Sequence, residues 1–354
     1  MIVTIHQVKL ASSGKTFAAE EGETILAAAL RQGVILPYSC RNGTCASCRG
    51  AVVEGEIRYP YQPPAALSAE EIASGCALLC QAVPAGDVII EARELDAVGD
   101  IPVRILPSRV QEKDLLASNV IRLRLGLPKG QRLQFLAGQY IDILLQGGRR
   151  RSFSLASAPH EEGYLELHLR HVTGGDFTGF VFNDMAERAI LRLEGPLGTF
   201  FVREDSPRPM LMMGGGTGFA PLKSMIEHLI HQGNQRPLHL FWGARNRDEL
   251  YLDDVPRQWA EQHSWFDYTP VLSEPAAQDA WQGHTGFVHH ALLQAYPELA
   301  GYDVYMSGPP VMINAARDDF AAHGLPLEQL FYDSFDFNPD PDTQVKQEPP
   351  PAQA

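Results

Sequence analysis

The stretch YSCRNGTCASCRG, residues 38–50, holds three of the five cysteines of this 354-residue chain and decides how its first part must fold. Cys40, Cys45 and Cys48 follow the spacing C-x4-C-x2-C, and most residues between them are small or turn-forming. Gly43 has no Cβ, so the backbone N–H groups of such a loop can approach an inorganic group closely. This pattern predicts a loop that wraps a metal–sulfide cluster.

A fourth thiolate must complete such a site, and the candidates are Cys76 and Cys80. Cys80 lies in ALLCQA, between an apolar segment and a strand, whereas Cys76 lies in the more polar ASGCA. We therefore expect Cys80 to be the fourth ligand of a [2Fe–2S] cluster, whose ligands have this spacing. Structural zinc favours two separated C-x2-C pairs, and a thioredoxin-like pair would leave Cys40 and Cys80 unused.

Length and charge narrow the class of protein. The length suits two or three domains of roughly 100–150 residues each. The net charge of −14 argues against nucleic-acid binding. No apolar run reaches the roughly 18 residues of a membrane span, and the first residues lack the pattern of a signal peptide. We expect a cytoplasmic protein with no membrane or nucleic-acid partner, in which structural disulfides are not expected.

The hydrophobic pattern changes along the chain. Short strands and the helical segment TILAAALRQGV (24–34) predict a small α+β domain, in which GAVVEGEIRY (50–59) forms a strand pair with a glycine turn. Alternating segments such as YLELHLRHV (164–172) then predict an antiparallel β-barrel, and repeated strand–helix pairs predict a parallel α/β sheet. The predicted limits are 1–95 for the first domain, 96–106 for a linker, 107–204 for the barrel, 205–335 for the α/β domain and 336–354 for a disordered tail.

A glycine-rich loop opens the predicted α/β domain. The segment MLMMGGGTGFAPLKSM (210–225) reads as a strand, a turn with Gly216, Thr217 and Gly218, and a helix with Pro221 near its start. Glycines let the backbone approach a pyrophosphate, the helix N-terminus favours its negative charge, and proline fits an early helical position. This segment predicts a nucleotide site at the carboxyl ends of parallel strands.

Taken in order, these segments resemble a known family. Residues 1–95 resemble a plant-type ferredoxin (β-grasp) domain, and the rest resembles the ferredoxin–NAD(P) reductase family. The order of domains resembles the reductase components of bacterial oxygenases. The likeness is strongest to the CDP-6-deoxy-3,4-glucoseen reductase group, and it rests on four stretches: ARELDAVGDIPVRILP (92–107), LQFLAGQYIDILL (133–145), LEGPLGTFFVRED (193–205) and GHTGFVHHAL (283–292).

The resemblance implies an FAD site. RRRSFSLAS (149–157) matches the R-x-Y-S element of the family, which implies that Arg151 pairs with the flavin pyrophosphate and Ser154 lies near flavin N5. Phe153 stands where tyrosine is usual, so it can stack but has no hydroxyl. A second segment, HLRHVTGGDFT (168–178), implies cofactor contacts from His168, Leu169, Arg170, Gly174, Gly175 and Thr178. Taken alone, Arg151 reads as a solvated charge and the glycine pair as a hairpin turn.

The resemblance also implies a nicotinamide site. NADPH users of the family carry Ser-Arg where this chain has Ser273 and Glu274, and a carboxylate there favours NADH. Arg245 and Arg247 are cations that keep NADPH open as an alternative. YMSGPPVM resembles the C-G-P-P element near the nicotinamide, with Ser307, Gly308 and Pro309 as its members and serine in place of cysteine. Phe335 stands where relatives place an aromatic ring against the flavin, although a core aromatic is an equal reading.

Together these elements imply electron transfer from NADH through FAD to the [2Fe–2S] cluster and on to a partner protein. Ser154, Ser307 and Phe335 are the expected catalytic residues. The partner is either a dehydrase of deoxysugar biosynthesis or the component of a multicomponent oxygenase, and we expect the chain to act as a monomer. A third reading is a carrier or sensor with a structural cluster and no working nicotinamide site, which the intact glycine loop disfavours.

Overall fold

A computed structural model describes residues 4–95 and 101–335. The predicted tail, 336–354, and residues 96–100 of the predicted linker lie outside the described residues. Three large sheets follow one another along the described chain, one mixed, one antiparallel and one parallel. The predicted fold class of three successive architectures is confirmed.

The first domain, here called the cysteine-loop domain, is a mixed five-stranded sheet that shares one core with a helix. Thr24 caps this helix by accepting a hydrogen bond from the Ala27 N–H at 3.2 Å. The strand order is β2-β1-β7-β3-β5, with a separate β4-β6 pair. The elements are β1 (Ile5–Leu10), β2 (Thr16–Glu20), α1 (Ile25–Arg31), β3 (Arg49–Glu54), β4 (Ile57–Arg58), α2 (Ala69–Ala73), β5 (Cys76–Leu78), β6 (Val83–Pro84) and β7 (Val88–Glu91).

The strand pair predicted for GAVVEGEIRY is wrong in its pairing. Both strands form, as β3 and β4, but they do not pair with each other. Strand β3 lies between β5 and β7, so both of its edges are already occupied, and β4 pairs with β6 instead. Gly55 makes the turn with φ +88°, where a side chain would be strained.

The second domain is an antiparallel six-stranded sheet in the order β11-β10-β13-β8-β9-β12. A bridge between Leu155 and Leu167 joins the two ends of this sheet and closes it into the predicted barrel. Strand β8 begins at Arg104, inside the predicted linker. The elements are β8 (Arg104–Ala117), β9 (Val120–Gly126), β10 (Tyr140–Leu144), β11 (Arg150–Ser154), β12 (Leu165–Arg170), α3 (Asp176–Asn183) and β13 (Ile190–Leu197).

The third domain is a parallel sheet in the order β17-β16-β15-β14-β18-β19. The chain order reverses between β14 and β18, so the crevice outside their carboxyl ends is the place where such sheets bind ligands. The elements are β14 (Met210–Gly215), α4 (Phe219–His231), β15 (Leu238–Ala244), α5 (Asp254–Gln262), β16 (Phe266–Leu272), β17 (His284–Thr285), α6 (Val288–Ala295), β18 (Asp303–Gly308), α7 (Pro310–Ala322) and β19 (Leu330–Ser334).

The apolar core clusters of the described residues show how the three domains are joined. The cysteine-loop domain has a core of its own, built only from residues between Val8 and Ala92. The barrel also has its own core, and the parallel sheet has another. A further apolar cluster of the sheet extends to barrel-side residues such as Val120 and Phe200. An apolar cluster thus crosses from the second domain to the third, whereas the core of the first domain contains residues of that domain alone.

Candidate functional site: a three-domain junction

The four expected cluster ligands come together in the cysteine-loop domain. The Cys40 and Cys45 thiols are neighbours that shift each other's pKa, as are the Cys48 and Cys80 thiols, and each pair interacts electrostatically with the other. The contact with Cys45 lowers the pKa of Cys40 to about 5. Cys76 lies apart from these pairs, with Arg49 and Glu71 as its charged neighbours.

The loop around these thiols is shaped to receive a cluster. Arg41 and Ala46 have positive φ angles of 57° and 58°, and such residues turn successive N–H groups toward a concave site. Backbone N–H groups of Asn42 and Gly43 accordingly point at the Cys40 and Cys80 sulfurs. A Cβ on Gly43 would lie 2.8 Å from the Gln81 side chain, so this cradle needs glycine. The donors and the four thiols fit a [2Fe–2S] cluster.

The two expected flavin segments lie side by side at the seam of the barrel. Arg151, Phe153 and Ser154 belong to β11, and the bridge from Leu155 to Leu167 fixes that strand beside β12. Phe153 is half-buried, with its ring 5.6 Å from that of Phe177. The seam thus presents a cation, an aromatic ring and a hydroxyl in succession, which fits a flavin and its pyrophosphate.

In the second flavin segment, the side chains of residues 168–170 are less available to a cofactor than the sequence suggests. His168 is buried, with Nδ1 3.0 Å from the Tyr251 hydroxyl and Nε2 3.1 Å from Glu166, and burial lowers its pKa. Leu169 points into the barrel core, and the Arg170 guanidinium donates to Glu249 at 2.9 Å. These three side chains are already engaged within the protein.

Gly174, Gly175 and Thr178 form the entry to helix α3. Gly174 has φ +77°, and Gly175 is the N-cap residue. The Thr178 hydroxyl accepts from the Val172 N–H at 3.1 Å, which ties the turn to the end of β12. The glycine pair therefore makes a strand-to-helix turn rather than the hairpin turn of the alternative reading.

The glycine-rich loop is a tight turn between β14 and α4. Gly216, Thr217 and Gly218 form a single 3-10 turn, and Pro221 is the third residue of α4. The Trp242 indole donates to the Gly216 carbonyl at 2.9 Å. A Cβ on Gly218 would lie 2.0 Å from the Ser307 carbonyl oxygen, so the turn touches the neighbouring strand with no room for a side chain. A pyrophosphate bound at this turn would meet the N-terminal end of α4, which favours its negative charge.

Ser307 and Phe335 meet at the same edge of the sheet. Ser307 is fully buried at the end of β18, and its hydroxyl lacks a hydrogen-bond partner among the described residues. Gly308 follows with φ +153°, and Pro309 caps helix α7. The Phe335 N–H donates to the Gly308 carbonyl at 2.9 Å, which brings this aromatic residue beside the expected nicotinamide element.

Arg245, Ser273 and Glu274 lie together beyond β15 and β16. The Glu274 N–H donates to the Arg245 carbonyl at 2.8 Å, and the Ser273 N–H donates to the Ala244 carbonyl at 2.9 Å. The Arg245 guanidinium binds the Glu249 carboxylate at 2.6 Å. Glu249 is shared with Arg170, and Glu274 acts on Arg245 as a second carboxylate, so the two arginines and two carboxylates balance in charge and a phosphate gains little here.

Sequence reasoning missed the residue at the centre of the junction, Asp333. This carboxyl group is buried on β19, directly opposite Ser307 on β18. One of its oxygens accepts from the Ser154 hydroxyl at 3.0 Å, and the other accepts from the Ser39 hydroxyl. Burial raises its pKa above the ordinary value. An acidic residue inside an apolar run, FYDSF, was the one signal available.

Further polar contacts hold the cysteine loop to the barrel, and sequence reasoning missed them as well. The Tyr38 N–H donates to the Thr199 hydroxyl at 2.8 Å, and the Tyr140 hydroxyl donates to the Ser39 carbonyl at 2.8 Å. Arg41 forms an ion pair at 3.0 Å with the buried Asp142. Strand β10 of the barrel and strand β19 of the parallel sheet therefore both contact the residues next to Cys40.

Comparison with known proteins agrees with this architecture. Family models match residues 8–85 (2Fe-2S iron-sulfur cluster binding domain), 107–202 (Oxidoreductase FAD-binding domain) and 212–318 (Oxidoreductase NAD-binding domain). The CDP-6-deoxy-L-threo-D-glycero-4-hexulose-3-dehydrase reductase of Yersinia pestis is 39% identical over 93% of this chain and 98% of that protein. The chain belongs to the ferredoxin–NAD(P) reductase family.

Other members of the family serve different partners. The reductase component of phenol 2-monooxygenase from a Pseudomonas species is 38% identical, over 93% of this chain and 94% of its own length. The crystal structure of a cytochrome P450 reductase from Amycolatopsis is 34% identical, with a TM-score of 0.74, and covers 93% of this chain and 98% of its own. This ferredoxin–NAD(P) reductase is thus an NAD(P)H-dependent oxidoreductase with [2Fe–2S], FAD and NAD domains. Among the described helices, none has the length and apolarity to cross a membrane.

Proposed function

We propose that this reductase takes electrons from NADH through FAD and the [2Fe–2S] cluster to a partner protein. The observation that carries the proposal is the junction at Asp333. One carboxyl group contacts Ser154 of the flavin segment and Ser39 beside Cys40, and it lies opposite Ser307 of the nicotinamide element. A protein built for electron transfer needs its three cofactor sites this close together.

For the cluster, we propose Cys40, Cys45, Cys48 and Cys80 as the ligands, with Cys76 as a bystander. The support is the closed set of thiol contacts and the backbone N–H groups aimed at the sulfurs. Peptide donors of this kind stabilise the negative charge of a cluster and tune its potential.

For the flavin, Arg151 would hold the pyrophosphate by a bidentate pair, Phe153 would lie against the ring system, and Ser154 would face N5. The main chain from His168 to Arg170 would line the flavin, because those side chains are engaged elsewhere, and Gly174, Gly175 and Thr178 would bind phosphate.

For the nicotinamide nucleotide, the turn Gly216–Gly218 and Pro221 would receive the pyrophosphate, and Ser307, Gly308 and Pro309 would border the ring. Phe335 would lie against the flavin. When bound, NADH, FAD and the cluster supply hydride transfer and its conversion to one-electron transfer. The residues of the chain orient these groups and exclude water.

The preference for NADH follows from charge. A 2′-phosphate beside Ser273 would meet the Glu274 carboxylate, and the nearest cation, Arg245, is already paired with Glu249. A free ribose hydroxyl could instead donate to Glu274. Comparison of kcat/KM for the two nucleotides tests this preference, and a higher value with NADPH would contradict it.

The acceptor is a protein of one of two classes. The relatives named above serve a CDP-hexulose dehydrase and a phenol monooxygenase, and their sequences are almost equally identical to that of this chain. We propose a dehydrase as the partner and an oxygenase component as the alternative. We further propose that the reductase acts in the cytoplasm as a monomer, independently of membranes and nucleic acid. We keep the domain limits proposed from the sequence, with the barrel extended back to Arg104.

An anaerobic titration with NADH tests the proposed function. We expect flavin absorbance to fall first and the reduced cluster then to give its electron paramagnetic resonance (EPR) signal. Bleaching of the flavin without reduction of the cluster would refute the proposed electron route. Pull-down with purified dehydrase and oxygenase components would then separate the two classes of partner.

A further inference from the structure

We propose that Asp333 is a positioning residue that holds the cluster loop against the flavin site through Ser39. This inference rests on the proposed function, because it assigns the step from flavin to cluster. The contact joins the last strand of the nicotinamide domain to the residue that directly precedes a cluster ligand. Neither residue is among the expected cofactor-binding residues.

The geometry makes this contact a fixed one. Ser39 and Asp333 are only 4% and 5% exposed, so water does not reach their hydrogen bond while the interface is closed. Strand β19 is itself held in register, because Asp333 lies opposite Ser307 on β18. The second oxygen of Asp333 accepts from Ser154 at 3.0 Å. The carboxyl group is thus anchored on two sides before it meets the cysteine loop.

Nearby contacts show which part of the loop Asp333 controls. Tyr38 and the Ser39 carbonyl are held by the barrel through Thr199 and Tyr140, and these contacts fix the main chain that enters the loop. From the parallel sheet, the loop receives the Asp333 contact and a long hydrogen bond, 3.4 Å, from the Ser47 hydroxyl to the Tyr332 carbonyl. Asp333 therefore provides the principal side-chain link between the nicotinamide domain and the described part of the loop.

Loss of this link should change one step more than the others. A buried hydrogen bond to a carboxyl group, once broken, changes an equilibrium by about tenfold or more. The Ser39→Ala variant keeps the flavin contact of Asp333 and every thiol, so it should loosen the position of the cluster and leave the nucleotide and flavin sites intact. The Asp333→Asn variant keeps the shape but weakens both contacts.

The test is anaerobic rapid mixing of the holoenzyme with NADH. Flavin bleaching is followed as the first phase and cluster reduction as the second. For Ser39→Ala we expect the first phase to change less than about twofold and the second to slow by about tenfold. Asp333→Asn should slow both phases. Ser74→Ala is the matched control, because Ser74 lies in the same domain and donates only to the local Glu71 carbonyl.

A second readout does not depend on turnover. Hydrogen exchange of the peptide that spans residues 38–48 should be faster in Ser39→Ala than in wild type, with the cluster EPR spectrum still present. Wild-type rates of cluster reduction and of exchange in Ser39→Ala would overturn the positioning role, as would equal slowing of both phases in that variant. If wild type bleaches its flavin but never reduces its cluster, the proposed function fails before the variants are compared.

Discussion

Substitution of Gly218 by alanine is the sharpest test of the nicotinamide turn. The new Cβ would lie 2.0 Å from the Ser307 carbonyl oxygen, whereas ordinary contact begins at 3.4 Å, so the turn and β18 must separate by roughly 1.4 Å. Both contacting groups are backbone, and β14 and β18 are paired at Gly214 and Ser307, so neither can give way without breaking the sheet. We expect a loss of about 1–3 kcal/mol in the free energy of unfolding.

Tryptophan fluorescence during urea unfolding measures this loss. All four tryptophans of the chain, at positions 242, 259, 265 and 281, lie in the nicotinamide domain, so the signal reports that domain. The midpoint should fall by on the order of 1 M urea, and the KM for NADH should rise because the turn no longer presents the start of α4. Gly301→Ala is the control, since nothing lies within 4 Å of its added Cβ. Equal midpoints for the two variants would refute the reasoning.

The remaining predictions concern four other parts of the protein. Cys80→Ser should abolish the visible absorbance of the cluster, while Cys76→Ser should retain it. Glu274→Arg should raise kcat/KM for NADPH relative to NADH by about tenfold, because it replaces repulsion of the 2′-phosphate by attraction. Ser307→Ala should stabilise the NADH-free protein by about 1 kcal/mol, because it removes a buried hydroxyl without a partner among the described residues. Burial lowers the pKa of His239 from 6.5 to about 4, so stability should decline by roughly 1–3 kcal/mol between pH 6.5 and 4 as the unfolded state takes up a proton.

Each of these predictions has its own control or contradiction. Cluster absorbance that survives in Cys80→Ser but not in Cys76→Ser would exchange the two assignments. Glu298→Arg, at an exposed site of the same domain, should leave the nucleotide preference unchanged. A less stable Ser307→Ala would mean that the hydroxyl is bonded. His239→Gln should flatten the dependence of stability on pH in the stated window. An unchanged dependence would mean that other groups cause the decline.

Elements whose structure is decided by residues close together in the sequence could be predicted from the sequence. The spacing of Cys40 and its neighbours, the glycine turn before α4, and the period-2 alternation in β12 each arise within a few residues, where backbone sterics decide the structure. The cap at Thr24 is of the same kind, because its hydroxyl bonds a residue three positions away.

Contacts across long sequence separations could not be predicted in this way. Asp333 and Ser39 are 294 positions apart, and the sequence around either residue does not indicate a contact with the other. The same limit explains the wrong pairing of β3, whose partners depend on the final order of the sheet. The engaged side chain of His168 belongs here too, since its partner Tyr251 comes from another domain.

The chemistry of the two interfaces separates their roles. An apolar cluster crosses from the barrel to the parallel sheet, so parting them would expose apolar surface to water at a cost that grows with area. The cysteine-loop domain keeps a complete core of its own and is held by polar contacts at Tyr38, Ser39 and Arg41. Water can replace much of what such contacts provide once they open, so this interface is the less costly one to break. The barrel and the parallel sheet would therefore hold FAD and NADH together, whereas the cysteine-loop domain depends on polar contacts, the Ser39–Asp333 hydrogen bond among them, to keep its cluster in place.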